Sequence, residues 1–487
     1  MPPAKEEKEY TIKLSPDQVS TYLNEGILVV PNILTPLQLE RTKIGFTNTL
    51  KYHKIDPNHL KETGCNLRSL SSTNGSGGVL DIFYPQWKML NIVTNKCLFD
   101  VTRQLWEASL CHNGESEGEM MTINYHKQQT EGKPDANDAE DEEEEEDSYH
   151  KWHPFGPFDC RRGYACIDRI GYRLPTTLAE EIGNEIYLTK LQKNNQHNQP
   201  QSANRPVKKK YIDNSTSTIT TTISKKQRKK LKANSIQRSL TPHLDCCPKM
   251  YNSTYDINNQ PKKKWRPIQC FVALTTNDTQ NTGGFEACSK FHLKFHEWSK
   301  TPTSIGATVA TISSGDDSIK TMMAPSPCIG EYTHIRPKED AEIYKRMKHI
   351  PVPEGGAVFW DNRIPHANSY VHDGDEPRMV VYASFLPDVE CNRMYVEKQL
   401  EDWRNWKRPR DMWIEVDDDD DKKKGGKNSS SSNKCIGSDC GNKAKNIEDD
   451  EEKTHLKESK SDEEENIKMR EEEFTPIGRK IMGIDPW

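Results

Sequence analysis

Two histidines, one aspartate and one arginine in this chain have types and surroundings that could hold a metal ion and its co-substrate. His243 and Asp245 stand two residues apart in an extended segment, residues 240–245, so their side chains should point to the same face. His366, from a distant segment, could complete three ligands on one side of a metal. Three ligands leave three positions open, which suits a ferrous ion that holds a co-substrate and oxygen. Arg378 offers a permanently charged fork for the far carboxylate of that co-substrate. The set predicts an iron(II)- and 2-oxoglutarate-dependent oxygenase.

The segments around these residues are typical of buried strands. Lys262–Thr276 becomes rich in aromatic and β-branched residues towards its end, residues 355–360 form an apolar run before His366, and Arg378–Phe385 is a third apolar run. For any one of the four residues, a structural histidine or a charge at the edge of a strand is the simpler interpretation. Their order along the chain and their strand-like surroundings favour a metal site.

The composition indicates one folded domain with long solvated segments. The chain has 487 residues, of which 33% are apolar and 29% are charged, and its mean hydropathy is −0.91. Length alone would allow up to three domains, but so low an apolar content means that much of the chain cannot be buried. We therefore expect an N-terminal tail at residues 1–14 and a single oxygenase domain over residues 15–415.

The cellular location is expected to be intracellular and cytoplasmic, without membrane attachment. No apolar run reaches the roughly 18 residues of a membrane span, and the N-terminus lacks the apolar stretch of a secretory signal. The 13 cysteines include no Cys-x-x-Cys motif, which argues against a zinc ribbon or a thioredoxin-type redox pair. Cys246 and Cys247, directly after Asp245, could line the metal pocket, or a strand end could simply place one of them inward.

Helix signals come before the predicted strands. Ser15 and Thr35 each precede a proline and stand three residues before a glutamine, which is the pattern of an N-cap with a capping box. They predict helices that run to about Asn24 and about His53. Apolar residues at helical spacing predict a further helix within Asn91–Leu110, packed on the sheet.

Three segments have compositions that do not favour folding. The insert at about residues 131–148 ends in an acidic run, the insert at about 194–235 is rich in Asn, Gln, Ser and Thr and then basic, and residues 416–473 alternate acidic, basic and serine blocks. Like charges in such runs repel one another and bury nothing. Apolar and turn residues return at 474–487, and we expect that segment to dock on the domain.

The basic cluster Lys225–Lys232 has two interpretations. It could be a nuclear-import signal or an arm that binds nucleic acid, or it could be a solvated insertion in a surface loop. No aromatic residue interleaves with its basic residues, as binding of single-stranded nucleic acid would require. We therefore favour the solvated insertion, and keep a nuclear location and a nucleic-acid partner as the less favoured alternative.

The order of these motifs resembles the phytanoyl-CoA dioxygenase-like family of iron(II)- and 2-oxoglutarate-dependent oxygenases. The resemblance spans about residues 15–400, interrupted by the inserts, and its specificity lies in the order and spacing of the motifs. The segments that carry it are Tyr22–Thr35, His243–Asp245, Ile268–Leu274, Gly283–Glu286, His366 and Arg378.

The resemblance implies a double-stranded β-helix, or jelly roll, that is mainly β with flanking helices. It also implies that His243, Asp245 and His366 hold iron(II), and that Arg378 pairs with a carboxylate of 2-oxoglutarate. The chain departs from the family at Cys288–His292, where a Pro-Gly-Ser-His-like turn would be expected. Related halogenases replace the metal-binding carboxylate with a small residue, so Asp245 favours oxygenation over halogenation.

The expected reaction consumes oxygen and 2-oxoglutarate, releases succinate and carbon dioxide, and hydroxylates a small organic molecule, with ascorbate as a candidate reductant. Asn362 and Asn368 flank His366 and are candidates to orient its ring, although a role in turning the chain at a strand end is favoured for both. On the strand Ala165–Leu174, one of the two alternating sets of side chains should face the pocket, and Tyr172 could hydrogen-bond the co-substrate. The alternatives are an oxygenase acting on nucleic acid or protein, and a catalytically silent jelly-roll binding or scaffold protein.

Overall fold

Two antiparallel sheets with surrounding helices form the part of the chain that the structure describes. This computed structural model describes residues 10–73, 75–110, 153–197, 234–300, 309–312, 320–323, 328–329, 332–369, 371–409 and 460–487. The predicted acidic insert at 131–148 and the basic cluster Lys225–Lys232 lie outside these residues. Within them, about 40% of residues are helical and about 20% are in strands, so helix outweighs strand, contrary to the mainly-β expectation.

Fourteen strands are present among the described residues. They are β1 (Ile27–Val30), β2 (Val79–Leu80), β3 (Gly163–Arg173), β4 (Leu240–Leu244), β5 (Ile268–Ala273), β6 (Phe285–Ala287), β7 (Val309–Ile312), β8 (Lys320–Met323), β9 (Cys328–Ile329), β10 (Tyr332–His334), β11 (Lys348–His349), β12 (Ala357–Asp361), β13 (His366–Asn368) and β14 (Arg378–Pro387).

The α-helices among the described residues range from a single turn to 22 residues. They are α1 (Pro16–Glu25), α2 (Pro36–Tyr52), α3 (Leu60–Thr63), α4 (Gln86–Lys88), α5 (Lys96–Ser109), α6 (Thr176–His197), α7 (Phe291–Ser299), α8 (Ala341–Arg346), α9 (Glu390–Arg404), α10 (Lys460–Glu472) and α11 (Pro476–Ile481). Shorter 3-10 and π turns lie at Gly64–Leu70, Met89–Val93 and Pro248–Met250.

The two main sheets have six strands each. The first has the order β1-β12-β5-β14-β3-β2, and the second has the order β11-β6-β13-β4-β10-β9. All of these strand pairs are antiparallel, and β7 and β8 form a separate hairpin. From β3 to β6, and again from β12 to β14, the chain alternates between the first sheet and the second.

Apolar side chains fill both faces of the first sheet. On its outer face, Phe385 of β14 packs with Phe99 of α5, with ring centroids 5.3 Å apart. Between the two sheets, Phe271 of β5 meets Phe285 of β6 at 5.5 Å. The described part is therefore built in three layers, with helices on the first sheet and the second sheet on its other side.

The predicted helix starts are confirmed. The side chains of Ser15 and Thr35 each accept a hydrogen bond from the backbone N–H of the glutamine three residues on. The side-chain oxygen of that glutamine accepts a hydrogen bond from the backbone N–H of the cap residue. These bonds satisfy backbone donors that a helix start would otherwise leave unpaired. The first helix ends at Glu25 and is followed by Gly26, whose φ of 70° favours glycine; a β-carbon there would lie 2.6 Å from the His292 ring.

The C-terminal residues pack against the domain. Phe474, Ile481 and Met482 are buried in the outer core, and the Trp487 indole donates to the Gly163 carbonyl oxygen at 3.1 Å. Helix α10 lies partly inside the segment for which no folding was expected. Its Arg470 guanidinium stands between two tryptophan rings of the domain, at 4.3 and 4.0 Å, and this tertiary contact supplies stability that the charged composition does not indicate.

None of the helices among the described residues combines the length and the apolar character needed to span a membrane.

Candidate metal centre

The three predicted ligands converge at the neighbouring strands β4 and β13. His243 and His366 stand opposite each other in the strand register, and Asp245 follows β4 directly. The Asp245 carboxylate lies 3.6 Å from His243 Nε2 and 3.8 Å from His366 Nε2. One ligand atom from each residue lies within 4.8 Å of the other two, which is close enough for one cation to contact all three.

Backbone carbonyls orient both imidazole rings. His243 Nδ1 is 2.9 Å from the Thr241 carbonyl oxygen, and His366 Nδ1 is 3.0 Å from that of Ile364. A proton on Nδ1 satisfies each carbonyl and leaves the Nε2 lone pair for a metal. The backbone therefore takes the orienting role for which Asn362 and Asn368 were candidates, and Asn368 contacts Tyr382 and Arg378.

The charges at the site match what a divalent cation requires. Burial would raise the pKa of Asp245, but the two imidazoles and the Arg266 guanidinium lower that pKa to about 2. Burial, reinforced by repulsion from His243, lowers the pKa of His366 to about 3. At neutral pH the centre thus presents an ionised carboxylate and a neutral His366 imidazole, the forms that bind metals.

Arg266 is a neighbour of the centre that the sequence pattern did not reveal. Its Nη2 lies 3.5 Å from Asp245 Oδ2, and its Nη1 lies 3.2 Å from Asp168 Oδ2. The guanidinium therefore bridges the candidate ligand and a second carboxylate, both of them half-buried. This contact restrains the orientation of the Asp245 carboxylate in the way that outer-shell partners restrain metal ligands.

A β-bulge explains why strict alternation along β3 fails. Between Val381 and Ala383, a single residue of β14 stands opposite two residues of β3, Asp168 and Arg169. The extra residue turns Asp168 towards the cavity, and the buried Lys88 ammonium donates to the Asp168 carbonyl oxygen.

The structure does not bring Tyr172 to the centre. Tyr172 pairs with Met379 on the face of the first sheet that carries the helices, and its ring packs against Phe46 of α2 at 5.9 Å. The phenol near Arg378 is instead that of Tyr382, which no sequence motif indicated. Its position in β14, four residues after Arg378, is the signal that could have identified it, because side chains four apart on a strand share a face.

Arg378 lies deep between the sheets. Its side chain is 3% exposed, its Nη1 donates to Asn368 Oδ1 at 3.4 Å, and its guanidinium stands 5.1 Å from the centre of the Phe271 ring. Its Nε and Nη2 atoms are buried and have no hydrogen-bond partner among the described residues. Buried charged donors that lack partners are costly, so this arginine is suited to an anionic ligand.

A cavity of about 540 Å³ adjoins the three ligands and extends to Asn368 and Tyr382. This volume lies within the usual range for small-molecule sites. Tyr332 stacks on the His243 ring at 4.6 Å, and Trp360 lies 5.1 Å from the His366 ring. Other residues that line it are Phe285, Cys246, Cys247, Lys262, Lys263, Lys264 and Arg266. Both cysteines thus face the cavity, and its wall is partly basic.

Comparisons with known proteins give distant structural similarities. No protein-family model matches the chain, and no curated protein matches it. The GlcNAc Inducible Gene 2 (GIG2) protein from Candida albicans is 11% identical, over 82% of this chain and 69% of that chain, with a TM-score of 0.44. JW0805 from Escherichia coli is 12% identical, over 82% and 75%, also at 0.44. SnoK, a non-heme alpha ketoglutarate dependent carbocyclase from nogalamycin biosynthesis, is 10% identical, over 77% and 84%, at 0.32. These values are too low to assign a fold or a function to this chain.

Proposed function

We propose that this chain is an iron(II)- and 2-oxoglutarate-dependent dioxygenase that hydroxylates a small organic molecule. The observation that carries the proposal is the convergence of His243, Asp245 and His366 with their ligand atoms within 4.8 Å. Two imidazoles and one carboxylate on one side of a metal are typical of non-heme iron(II) oxygenases.

The donor set fits the metal on chemical grounds. Both histidines present Nε2, because Nδ1 of each faces a backbone carbonyl. Asp245 supplies the anionic oxygen. Bound iron(II) would couple oxidative decarboxylation of 2-oxoglutarate to oxidation of a substrate C–H bond, so that oxygen, 2-oxoglutarate and substrate give succinate, carbon dioxide and hydroxylated substrate.

The protein's own residues bind and orient the reactants. Arg378 receives the far carboxylate of 2-oxoglutarate through Nε and Nη2, its buried donors that lack partners in the described structure. Asn368 and Tyr382 hold that guanidinium in place. Tyr332 and Trp360, packed on the ligand rings, exclude water from one side of the centre.

The fold we propose is a jelly roll of the kind found in the phytanoyl-CoA dioxygenase-like family. Two facing six-stranded antiparallel sheets support it, as does a chain that crosses repeatedly between them from β3 to β6 and from β12 to β14. In jelly rolls, such crossings join two packed sheets.

The two alternative functions predict different results in an assay of succinate release. An oxygenase acting on nucleic acid or protein would share the centre and differ in substrate, whereas a silent scaffold would have no turnover. The cavity of about 540 Å³ favours a small molecule over a macromolecule.

Succinate release tests the proposal. Purified protein with ferrous iron, ascorbate and 2-oxoglutarate should release succinate slowly even without substrate, and more rapidly when a library of small organic molecules contains one that fits. His243→Ala and Asp245→Ala should abolish this activity, because each removes one of three metal ligands.

Matched controls are His59→Ala and Asp17→Ala, which remove an exposed histidine and an exposed aspartate outside both sheets. Both should keep wild-type succinate release. Absence of any iron-dependent succinate from the wild type, or retention of it in the ligand variants, would overturn the proposal.

A further inference from the structure

We propose that Lys88 and Asp168 are positioning residues for the metal ligand Asp245, and that they act on it through Arg266. This role rests on the function proposed above, in which Asp245 binds the metal. Asp168 and Arg266 line the cavity, and Lys88, the last residue of α4, is fully buried.

Arg266 connects two carboxylates at the cavity wall. Its Nη1 lies 3.2 Å from Asp168 Oδ2, and its Nη2 lies 3.5 Å from Asp245 Oδ2. A guanidinium is a planar and rigid fork, so a carboxylate that holds one of its nitrogens also sets the direction of the other. The position of Asp168 therefore determines how Arg266 meets Asp245.

Both carboxylate oxygens of Asp168 have partners. Oδ1 accepts a hydrogen bond from the backbone N–H of Arg169 at 2.7 Å, and Oδ2 faces Arg266. Burial would raise the pKa of Asp168, but Arg266 and Arg169 keep that pKa below its usual value. The carboxylate is therefore ionised at neutral pH, the form that holds a guanidinium.

Lys88 holds the backbone of the bulge that directs Asp168 towards the cavity. Its ammonium donates to the carbonyl oxygens of Ile82 and Phe83, each at 3.0 Å, and to that of Asp168. The three donors of the ammonium thus meet three acceptors, and a buried ammonium without them would be costly. Lys88 therefore fixes β3 at the residue whose side chain binds Arg266.

The second residue of the bulge is held independently. Arg169 Nε donates to Asp81 Oδ1 at 2.7 Å, and the Asp81 carboxylate also accepts from the backbone N–H and the hydroxyl of Ser72, each at 3.0 Å. A one-residue slip of β3 would move both bulge residues away from their partners. These contacts keep the bulge, and hence Asp168, in one register.

Arg266 could affect metal affinity in two opposite ways. As a positive charge 3.5 Å from Asp245, it repels a cation and competes for the carboxylate, so its removal would strengthen metal binding. As a partner that orients the carboxylate towards the two imidazoles, it favours the cation, so its removal would weaken metal binding. A positioning role requires the second effect to be the larger.

The experiment titrates the metal-free protein with Mn(II) and follows the free ion by its electron paramagnetic resonance signal. Arg266→Gln should weaken Mn(II) binding by about 10- to 100-fold, the usual effect of losing a partner of a metal ligand. Asp168→Asn should weaken it nearly as much. The double variant should be no weaker than Arg266→Gln, because both changes interrupt one path. Lys88→Met should show a smaller loss in the same direction.

Asp159→Asn is the matched control. Asp159 also pairs with an arginine, at 2.9 Å, but that partner, Arg161, is an exposed residue, and the variant should bind Mn(II) as the wild type does. Urea unfolding of each metal-free variant separates positioning from folding. A purely structural role would lower stability and leave the Mn(II) affinity of the folded protein unchanged.

Unchanged or stronger Mn(II) binding by Arg266→Gln would overturn the inference, as would losses that add in the double variant. Wild-type affinity in Lys88→Met would overturn the part assigned to Lys88. Should Lys88→Met fail to fold, Lys88→Gln, which can still donate to a carbonyl, decides in the same way. A wild type that binds no Mn(II) would instead refute the proposed function and the inference with it.

Discussion

At the scale of single residues, each candidate ligand imidazole is oriented by the carbonyl two positions before it in its own chain segment. Thr241 serves His243 and Ile364 serves His366, at 2.9 and 3.0 Å. The orientation is therefore built into the backbone near the ligand, and it does not depend on side chains that distant parts of the fold must supply. Such local restraint is the preorganisation that a metal site needs.

His372 should make stability depend on pH. Its pKa in the folded protein is about 4, because of burial and the nearby Arg173 and Arg378, despite opposing effects of Glu376 and Asp373. The ordinary histidine value is 6.5, so as pH falls below it the unfolded chain gains a proton that the folded protein does not. The free energy of unfolding should therefore fall by up to about 2 kcal/mol between pH 7 and pH 5 from this group.

Urea unfolding at the two pH values measures this effect. His372→Asn should show a smaller loss of stability between pH 7 and pH 5 than the wild type, because asparagine does not titrate. Identical losses in the two proteins would show that His372 does not carry this pH dependence.

The candidate site could be predicted in part from the sequence. His243, Asp245, His366 and Arg378 follow from residue type, period-two geometry and strand-like surroundings, which are local properties. The same alternation did not decide which side chains of β3 face the pocket, and Tyr172, a candidate to bind the co-substrate, lies on the other face of the first sheet.

Arg266 and Asp168 could not be found by such local reasoning. Arg266 precedes a strand in a basic stretch that gives no sign of its target, and Asp168 faces the cavity because of the bulge in β3. Both positions depend on pairing between strands that are far apart in the chain. A pattern read within one strand does not contain that register.

At the scale of elements, a buried ion pair fixes the turn that carries His366 from β12 to β13. Arg363 donates through Nε and Nη2 to the two carboxylate oxygens of Asp361, at 2.8 and 2.6 Å. The guanidinium also lies 5.5 Å from the centre of the Tyr251 ring. Burial would raise the pKa of Asp361, but Arg363 keeps that pKa below its usual value.

Replacing only one partner of this ion pair should destabilise the fold more than replacing both partners. Asp361→Ala should lower the free energy of unfolding by about 3–5 kcal/mol, because Arg363 would stay buried without its partner. The double variant Asp361→Ala/Arg363→Met should recover part of that loss. Urea unfolding of the wild type, the single variant and the double variant measures both effects, and a double variant less stable than Asp361→Ala would contradict this interpretation.

The helices and long strands were predictable because their signals are local. Capping boxes at Ser15 and Thr35 fixed two helix starts to the residue, and apolar runs indicated β5, β12 and β14. The two-residue strands β2, β9 and β11 and the π turn at Met89–Val93 have no such signal. Their conformation follows from tertiary pairing and packing, which override weak local propensity.

At the scale of the whole molecule, the C-terminal residues complete the outer core. Met482 is fully buried against the helical side of the first sheet, whereas Met469 on α10 is 52% exposed. Composition predicted docking for residues 474–487 from their apolar and turn character. It did not predict α10, whose contacts with the domain are made largely by charged residues.

The two methionines provide a matched test of this packing. Met482→Ala should destabilise the protein by about 2–5 kcal/mol, because it leaves a cavity in the core. Met469→Ala should change stability by less than about 0.5 kcal/mol, as is usual for surface positions. Thermal or urea unfolding measures both, and equal effects would show that the C-terminal segment does not pack as described.

The proposed function requires that His243, Asp245 and His366 bind one cation. Anomalous diffraction from crystals soaked with Mn(II), an inert substitute for iron(II), tests it most directly. We expect a single strong anomalous peak between the two Nε2 atoms and the Asp245 carboxylate, which disappears in Asp245→Ala crystals. A peak elsewhere, or three ligand side chains that point apart with no metal between them, would contradict it.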